Sequence, residues 1–225
     1  MIPKMLPAHE TVTPTSTYAP WRDDEAFQET LRLVRGITLV DMYRLWELWM
    51  LVAKSAQLHR GVIIEVGCWL GGTAALIGRR ADLCRIREPF HVYDTFKGIP
   101  PALVSASDPY YHGGEHAATR EGVFQTLARF GVKNFQCIAG IFPNSSIMGP
   151  FDAVRFAHLD VDLYESAKRC TEAIFPRLVP GGMIVYDDYG FRTTPGVTKY
   201  VNEVAAGTPY PVIHNLNGHA ILIRT

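Results

Sequence analysis

From residue 62 onward, short apolar runs alternate with helical stretches, and this rhythm constrains the fold more than any other feature of the chain. "VIIEV" (62 to 66) is a buried-strand run, "GCWLGGT" a turn, "AALIGRRADL" a helix and "FHVYD" (90 to 94) a second strand. Farther on, "REGVFQTLARFG" is helical, "FQCIAG" is a third strand and "AVRFAHLD" a fourth. "YESAKRCTEAIFPRL" is helical again, and "MIVYDDY" is a fifth strand entered through Pro180, Gly181 and Gly182. Strands that alternate with helices pair in parallel through right-handed crossovers, so the pattern predicts a doubly wound α/β sheet. The ending breaks the rhythm. "YPVIHNLNGHAILIRT" holds two strand-like runs separated by Leu216, Asn217 and Gly218, a tight-turn signal that returns the chain antiparallel with no helix between.

Ahead of the first strand, residues 39 to 57 carry Met42, Leu45, Trp46, Trp49, Met50 and Ala53 at helical spacing, with Asp41, Arg44, Glu47 and Lys54 between them. This predicts an amphipathic helix whose tryptophans serve core or interface packing. Residues 1 to 38 read as an N-terminal arm or lid without its own core, which leaves 39 to 225 as the domain. At 225 residues and 48% apolar composition, one full core can be buried. The 22 basic and 22 acidic residues cancel, and the absence of a basic run argues against nucleic acid as a partner. The N-terminus lacks the apolar core of a secretory signal, and no stretch is long and apolar enough for a membrane span. Cys68, Cys84, Cys137 and Cys170 are scattered without a CxxC pair, so neither a zinc knuckle nor a disulfide framework is expected and a reducing cytoplasmic location fits.

In doubly wound sheets, ligands bind beyond the carboxyl ends of the strands. The first strand ends in Glu65-Val66-Gly67-Cys68-Trp69-Leu70-Gly71-Gly72-Thr73, where glycines permit close backbone approach and the next helix offers unpaired N–H groups to an anion. The spacing is not GxGxxG, and a plain tight turn is the competing reading. The second strand ends in Asp94, placed to accept from both hydroxyls of a ribose or, equally simply, to shape a turn with Thr95. Asp160 and Asp162 follow the fourth strand and Asp187 and Asp188 the fifth. Period-two geometry points Asp160 and Asp162 to one side wherever the strand continues through them. Four acids without His or Cys in either motif favour a hard cation held by oxygens, Mg²⁺ before Mn²⁺ or Ca²⁺. The plainer alternative makes Asp162 the N-cap of the following helix, with Glu165 completing a capping box, and leaves Asp187 and Asp188 as a solvated strand end.

With these motifs assembled, the chain resembles the macrocin O-methyltransferase (TylF-type) family of S-adenosylmethionine-dependent enzymes over roughly residues 39 to 225. "EVGCWLGGT" is similar to that family's cofactor loop, "YDTFKGIP" to its ribose segment, "LDVDLYES" and "LVPGGMIVYDDYG" to its metal and base segments, and "PGVTKYVNEV" to the helix that follows. The resemblance implies a class I methyltransferase (Rossmann-like) sheet. It implies S-adenosylmethionine contacts at Glu65, Gly67, Gly71, Gly72, Thr73, Asp94, Phe96, Gly140 and Ile141. It further implies Mg²⁺ on Asp160, Asp187 and Asp188, with Asp162 as general base. "GIFPNSS" departs from the family, with Asn144 and Ser145 where many members have Asp-Thr, as does Val161 where some have Gly.

A sugar hydroxyl ionises far too weakly to attack a sulfonium methyl unaided, so a bound cation and a carboxylate base are the expected pairing. The long loop "GIPPALVSASDPYYHGGEHAATR" is assigned to acceptor recognition through Tyr110, Tyr111, His112 and His116. The family implies an acceptor hydroxyl on an antibiotic glycoside, glycolipid or oligosaccharide, a methylmannose-type polysaccharide included, and a homodimer or larger assembly for which Trp46 and Trp49 would suit the interface. Two rivals are a sugar-nucleotide glycosyltransferase that uses Asp160-Val161-Asp162 as a DxD metal clamp, and a non-catalytic module that kept the cofactor pocket.

Overall fold

The computed structural model describes residues 17–144, 149 and 151–225, so Ser145 and the first sixteen residues of the arm lie outside the described residues. Among the described residues, seven strands form one sheet: β1 (Val62–Val66), β2 (Phe90–Asp94), β3 (Phe135–Ala139), β4 (Val154–Leu159), β5 (Leu178–Tyr186), β6 (Val212–His214) and β7 (Ala220–Ile223). Their order is β3-β2-β1-β4-β5-β7-β6. The first five are parallel, and β7 pairs antiparallel with both β5 and β6, as the closing hairpin motif predicts. Strand order reverses between β1 and β4, and such a switch opens a crevice at the carboxyl ends. β5 begins at Leu178, before the Pro-Gly-Gly segment. Gly181, at φ 80°, lies inside the strand where the β4–β5 register shifts, a glycine bulge instead of a turn into the strand.

Helices cover both faces. α1 (Glu25–Val34), α2 (Met42–Ser55), α3 (Gly72–Leu83) and α4 (Arg120–Arg129) share one core with Ile63, Val92, Phe156, Val185 and Ile221. α5 (Tyr164–Ile174) and α6 (Pro195–Gly207) share the other with Ile64, Val66, Ala157, Leu159, Ile184, Tyr186 and Leu222. Alternate strand residues therefore sort cleanly to opposite faces.

α1 falls within the segment read from sequence as arm, and its Phe27 and Val34 are fully buried in the first core. Asp24 ties this helix down twice: one carboxylate oxygen accepts from the Phe27 N–H at 2.8 Å as an N-cap, and the other accepts from Trp49 Nε1 at 3.0 Å. Trp49 is thus a core residue with no exposed surface, which removes it from any interface. Trp46 is partly buried against Phe27 and Trp21.

Candidate active site

Beyond the β1/β4 switch lies a cleft of about 530 Å³, lined by the β1–α3 loop, the ends of β2 and β4, the turn after β5, the long loop after β2 and residues 37 to 40. Its floor depends on one close approach. Gly67 adopts φ 84°, its N–H donates to the Tyr93 carbonyl at 2.8 Å, and a Cβ there would sit 1.7 Å from the Asp160 carbonyl oxygen. Only glycine lets β1 and β4 end side by side in this way. Gly71, also left-handed, caps α3. The Gly72 N–H, predicted to face an anion, donates instead to the Ile37 carbonyl at 3.1 Å, which pins the arm segment over the loop.

Asp94 organises the same loop. One of its oxygens accepts from the N–H groups of Cys68 and Trp69 at 2.9 and 3.0 Å, and the other from Phe96 N–H at 2.7 Å. It lines the cleft, as do Gly67, Thr73, Gly140 and Ile141. A carboxylate has about four acceptor positions, so these three bonds leave capacity for a further donor. Phe96, Gly71 and Gly72 do not line the cleft, and neither does Glu65, which is fully buried within β1 and bonded to His158 Nδ1 at 2.9 Å.

The acids meet at the cleft's far end. One oxygen each of Asp160, Asp187 and Asp188 falls within a 4.8 Å cluster, and Asp188 Oδ2 is buried without a partner among the described residues. β4 stops at Leu159, so strand alternation does not extend to Asp162; a turn with Asp162 at φ 60° brings it round. Nor does Asp162 cap α5. Leu163 takes that position, and Asp108 from the long loop accepts from the Tyr164 N–H at 2.9 Å. Asp162 instead accepts from the Tyr111 hydroxyl at 2.5 Å. Tyr110, Tyr111 and His116 line the cleft; His112 stands outside it, its N–H donating to Glu115.

Charge is unequally shared among the acids. Burial, followed by the neighbouring carboxylates, pushes Asp160 and Asp188 well above the usual range, and burial also raises Asp162. All three keep part of their surface open to the cleft, where solvent moderates the effect. Asp187 is held at about 2: burial opposes ionisation but is outweighed by His219, Arg44 and His158. Far from a solvated strand end, Asp187 is 3% exposed. Arg44 Nη1 lies 2.7 Å from both its oxygens, and His219 Nε2 lies 2.7 Å from Oδ1, off the line of a well-formed hydrogen bond.

These partners are absent from the sequence reading. Arg44 and Glu47 appear there as the polar face of an amphipathic helix, yet Arg44 is buried and Glu47 bonds His219 Nδ1 at 2.6 Å. Their i, i+3 spacing, which places them on one face, was the available signal. His219 arrives through the antiparallel register that sets Ala220 beside Tyr186 and so places the preceding residue by Asp187.

An open sheet of this order, with a glycine loop, an acid after β2 and an acidic cluster at its switch point, defines the class I methyltransferase fold. The chain belongs to the macrocin O-methyltransferase (TylF) family, whose model matches residues 24–214. It is 30% identical over 166 residues to the 8-demethyl-8-(2,3-dimethoxy-alpha-L-rhamnosyl)-tetracenomycin-C 4'-O-methyltransferase of Streptomyces olivaceus, covering 64% of this chain and 62% of that one. The chain spans between 53% and 65% of the length of the curated relatives it matches. The solved O-methyltransferase NovP has the same fold, with a TM-score of 0.76 at 23% identity over 85% of this chain and 83% of that one. So has TomG of Streptomyces achromogenes, solved in complex with SAM, with a TM-score of 0.55 at 15% identity over 90% and 91%.

Proposed function

We propose that this chain transfers a methyl group from S-adenosylmethionine to a sugar hydroxyl, with a divalent cation, Mg²⁺ first, at Asp160, Asp187 and Asp188. The single observation that carries this reading is one cleft joining the Asp94-organised glycine loop to those three carboxylates. The fold and the family membership support S-adenosylmethionine as the donor, and the rhamnosyl O-methyltransferase relative supports a glycoside acceptor. The all-oxygen donor set and the unpartnered Asp188 Oδ2 fit a hard cation, since two half-buried carboxylates with raised pKa values call for positive charge.

When bound, the cofactor supplies an electrophilic methyl and the cation makes a hydroxyl presented to it more acidic. Asp160 and Asp188 line the cleft, and Asp187 is kept ionised and oriented by Arg44 and His219. Asp162 takes the hydroxyl proton on its carboxylate, which Tyr111 holds in place from the long loop. Tyr110, Tyr111 and His116 line the acceptor side, and residues 37 to 40 cover the cofactor side. A cytoplasmic homodimer completes the reading; it rests on the scattered free cysteines and on the family resemblance.

Calorimetric titration with S-adenosylhomocysteine and with UDP, each in Mg²⁺ and in EDTA, tests the donor. Binding of the homocysteine product supports the reading; Mg²⁺-dependent binding of UDP alone overturns it in favour of a DxD glycosyltransferase. Asp162→Asn should abolish turnover of a glycoside acceptor while leaving Mg²⁺ and S-adenosylhomocysteine binding nearly intact. Retained turnover would remove Asp162 as base.

A further inference from the structure

On the sheet face toward α2, residues of one strand parity turn from apolar to polar near the carboxyl ends. Glu65 follows Ile63, His158 follows Phe156, Asp187 follows Val185, and His219 precedes Ile221. The two histidines are built alike. His158 Nδ1 is bonded to the Glu65 carboxylate at 2.9 Å and His219 Nδ1 to the Glu47 carboxylate at 2.6 Å. A carboxylate on Nδ1 is the arrangement found behind metal-bound imidazoles, where it holds the Nδ1 proton and leaves Nε2 to the metal once the ion is bound. Among the described residues, His158 Nε2 is buried without a hydrogen-bond partner, His219 Nε2 faces Asp187 Oδ1 at 2.7 Å, and both side chains are fully buried. One ligand atom each from His158, His219 and Asp187 lies within 4.8 Å of the others.

We infer that His158, His219 and Asp187 form a second divalent-cation site, of two nitrogens and one oxygen, behind the three-carboxylate cluster and sharing Asp187 with it. Its donor set suits a borderline ion such as Zn²⁺ in place of Mg²⁺. Two donors about 2.0–2.1 Å from a tetrahedral ion stand roughly 3.3 Å apart, so the 2.7 Å between His219 Nε2 and Asp187 Oδ1 has to open only slightly. A proton held between those two atoms leaves to solvent as the ion enters. Arg44 grips Asp187 from α2, and the surrounding carboxylates of Glu47, Glu65, Asp160 and Asp188 accommodate the added charge.

The test is calorimetric titration of Zn²⁺ into the full-length protein already saturated with Mg²⁺, followed by zinc X-ray absorption. The expected result is one zinc equivalent bound without release of Mg²⁺, with scattering from two imidazoles. His158→Gln and His219→Gln should each weaken that binding by at least about a hundredfold, more than loss of an outer partner, whereas Glu47→Gln should cost about tenfold. Zinc that displaces Mg²⁺ one for one, a shell of oxygens alone, or no zinc binding that depends on these histidines overturns the site. The wild-type absorption spectrum decides the question even where a histidine variant fails to fold. Neither measurement involves methyl transfer, so failure of this site leaves the proposed reaction untouched.

Discussion

Gly67 shows how far a single residue sets the geometry of the cleft. Gly67→Ala should lower stability by at least about 2 kcal/mol, since a side chain at φ 84° is strained and its Cβ meets backbone that cannot swing away. Urea unfolding measures this, and an unchanged midpoint would mean that β4 can retreat from β1. At Asp162 the controlling contact is the Tyr111 hydroxyl. Tyr111→Phe removes one hydrogen bond to a charged group, worth about 1.5–3 kcal/mol, so turnover should fall roughly ten- to a hundredfold with Mg²⁺ affinity unchanged. Unaltered kinetics would show that the tyrosine only fills space. Both aspartates of "LDVD" stood out in the sequence because like charges so close need compensation. The tyrosine that answers one of them did not, because a loop carries it across 51 positions and no local spacing records that contact.

Among the elements, the long loop after β2 is closed by its own turns and lends α5 a cap. Asp108 is 1% exposed, binds both the backbone N–H and the hydroxyl of Ser105, and accepts from the first N–H of α5. Asp108→Ala should therefore cost about 1–2 kcal/mol and loosen acceptor recognition along with the helix end. Thermal unfolding and protease sensitivity of the loop report the two effects, and full protection in the variant would argue against the coupling. The capping-box spacing of Asp162 and Glu165 pointed to a different cap. Local pattern proposes the nearest acid, whereas tertiary packing supplied one from 56 residues away and released Asp162 to face the cleft. α1 teaches a different lesson, since Asp24 as N-cap ahead of Phe27, Leu31 and Val34 at helical spacing is a local signal that the reading of residues 1 to 38 as an arm passes over.

For the whole molecule, the unbalanced acids at the sheet's carboxyl edge tie stability to cations. An ion present at about a hundred times its dissociation constant adds roughly 2.7 kcal/mol, which for a chain of this size raises Tm by about 5–10 °C. Adding Mg²⁺ should produce that rise, EDTA should reverse it, and Asp188→Asn should abolish most of it; a Tm indifferent to all three would leave the acidic cluster without its cation. The sequence by itself determined the alternating strands and helices, the antiparallel closing hairpin, the glycine loop and the two acidic pairs, because periodicity and short-range backbone chemistry are local and survive in one dimension. The tertiary structure alone decided what stands behind those acids. Arg44 and Glu47 turn inward from α2, His219 arrives through a hairpin register, and Glu65 retreats from the cleft to bind His158. Partners for a buried charge are chosen by which surfaces the fold brings together, and desolvation enforces that choice only once the sheet and its covering helices have closed.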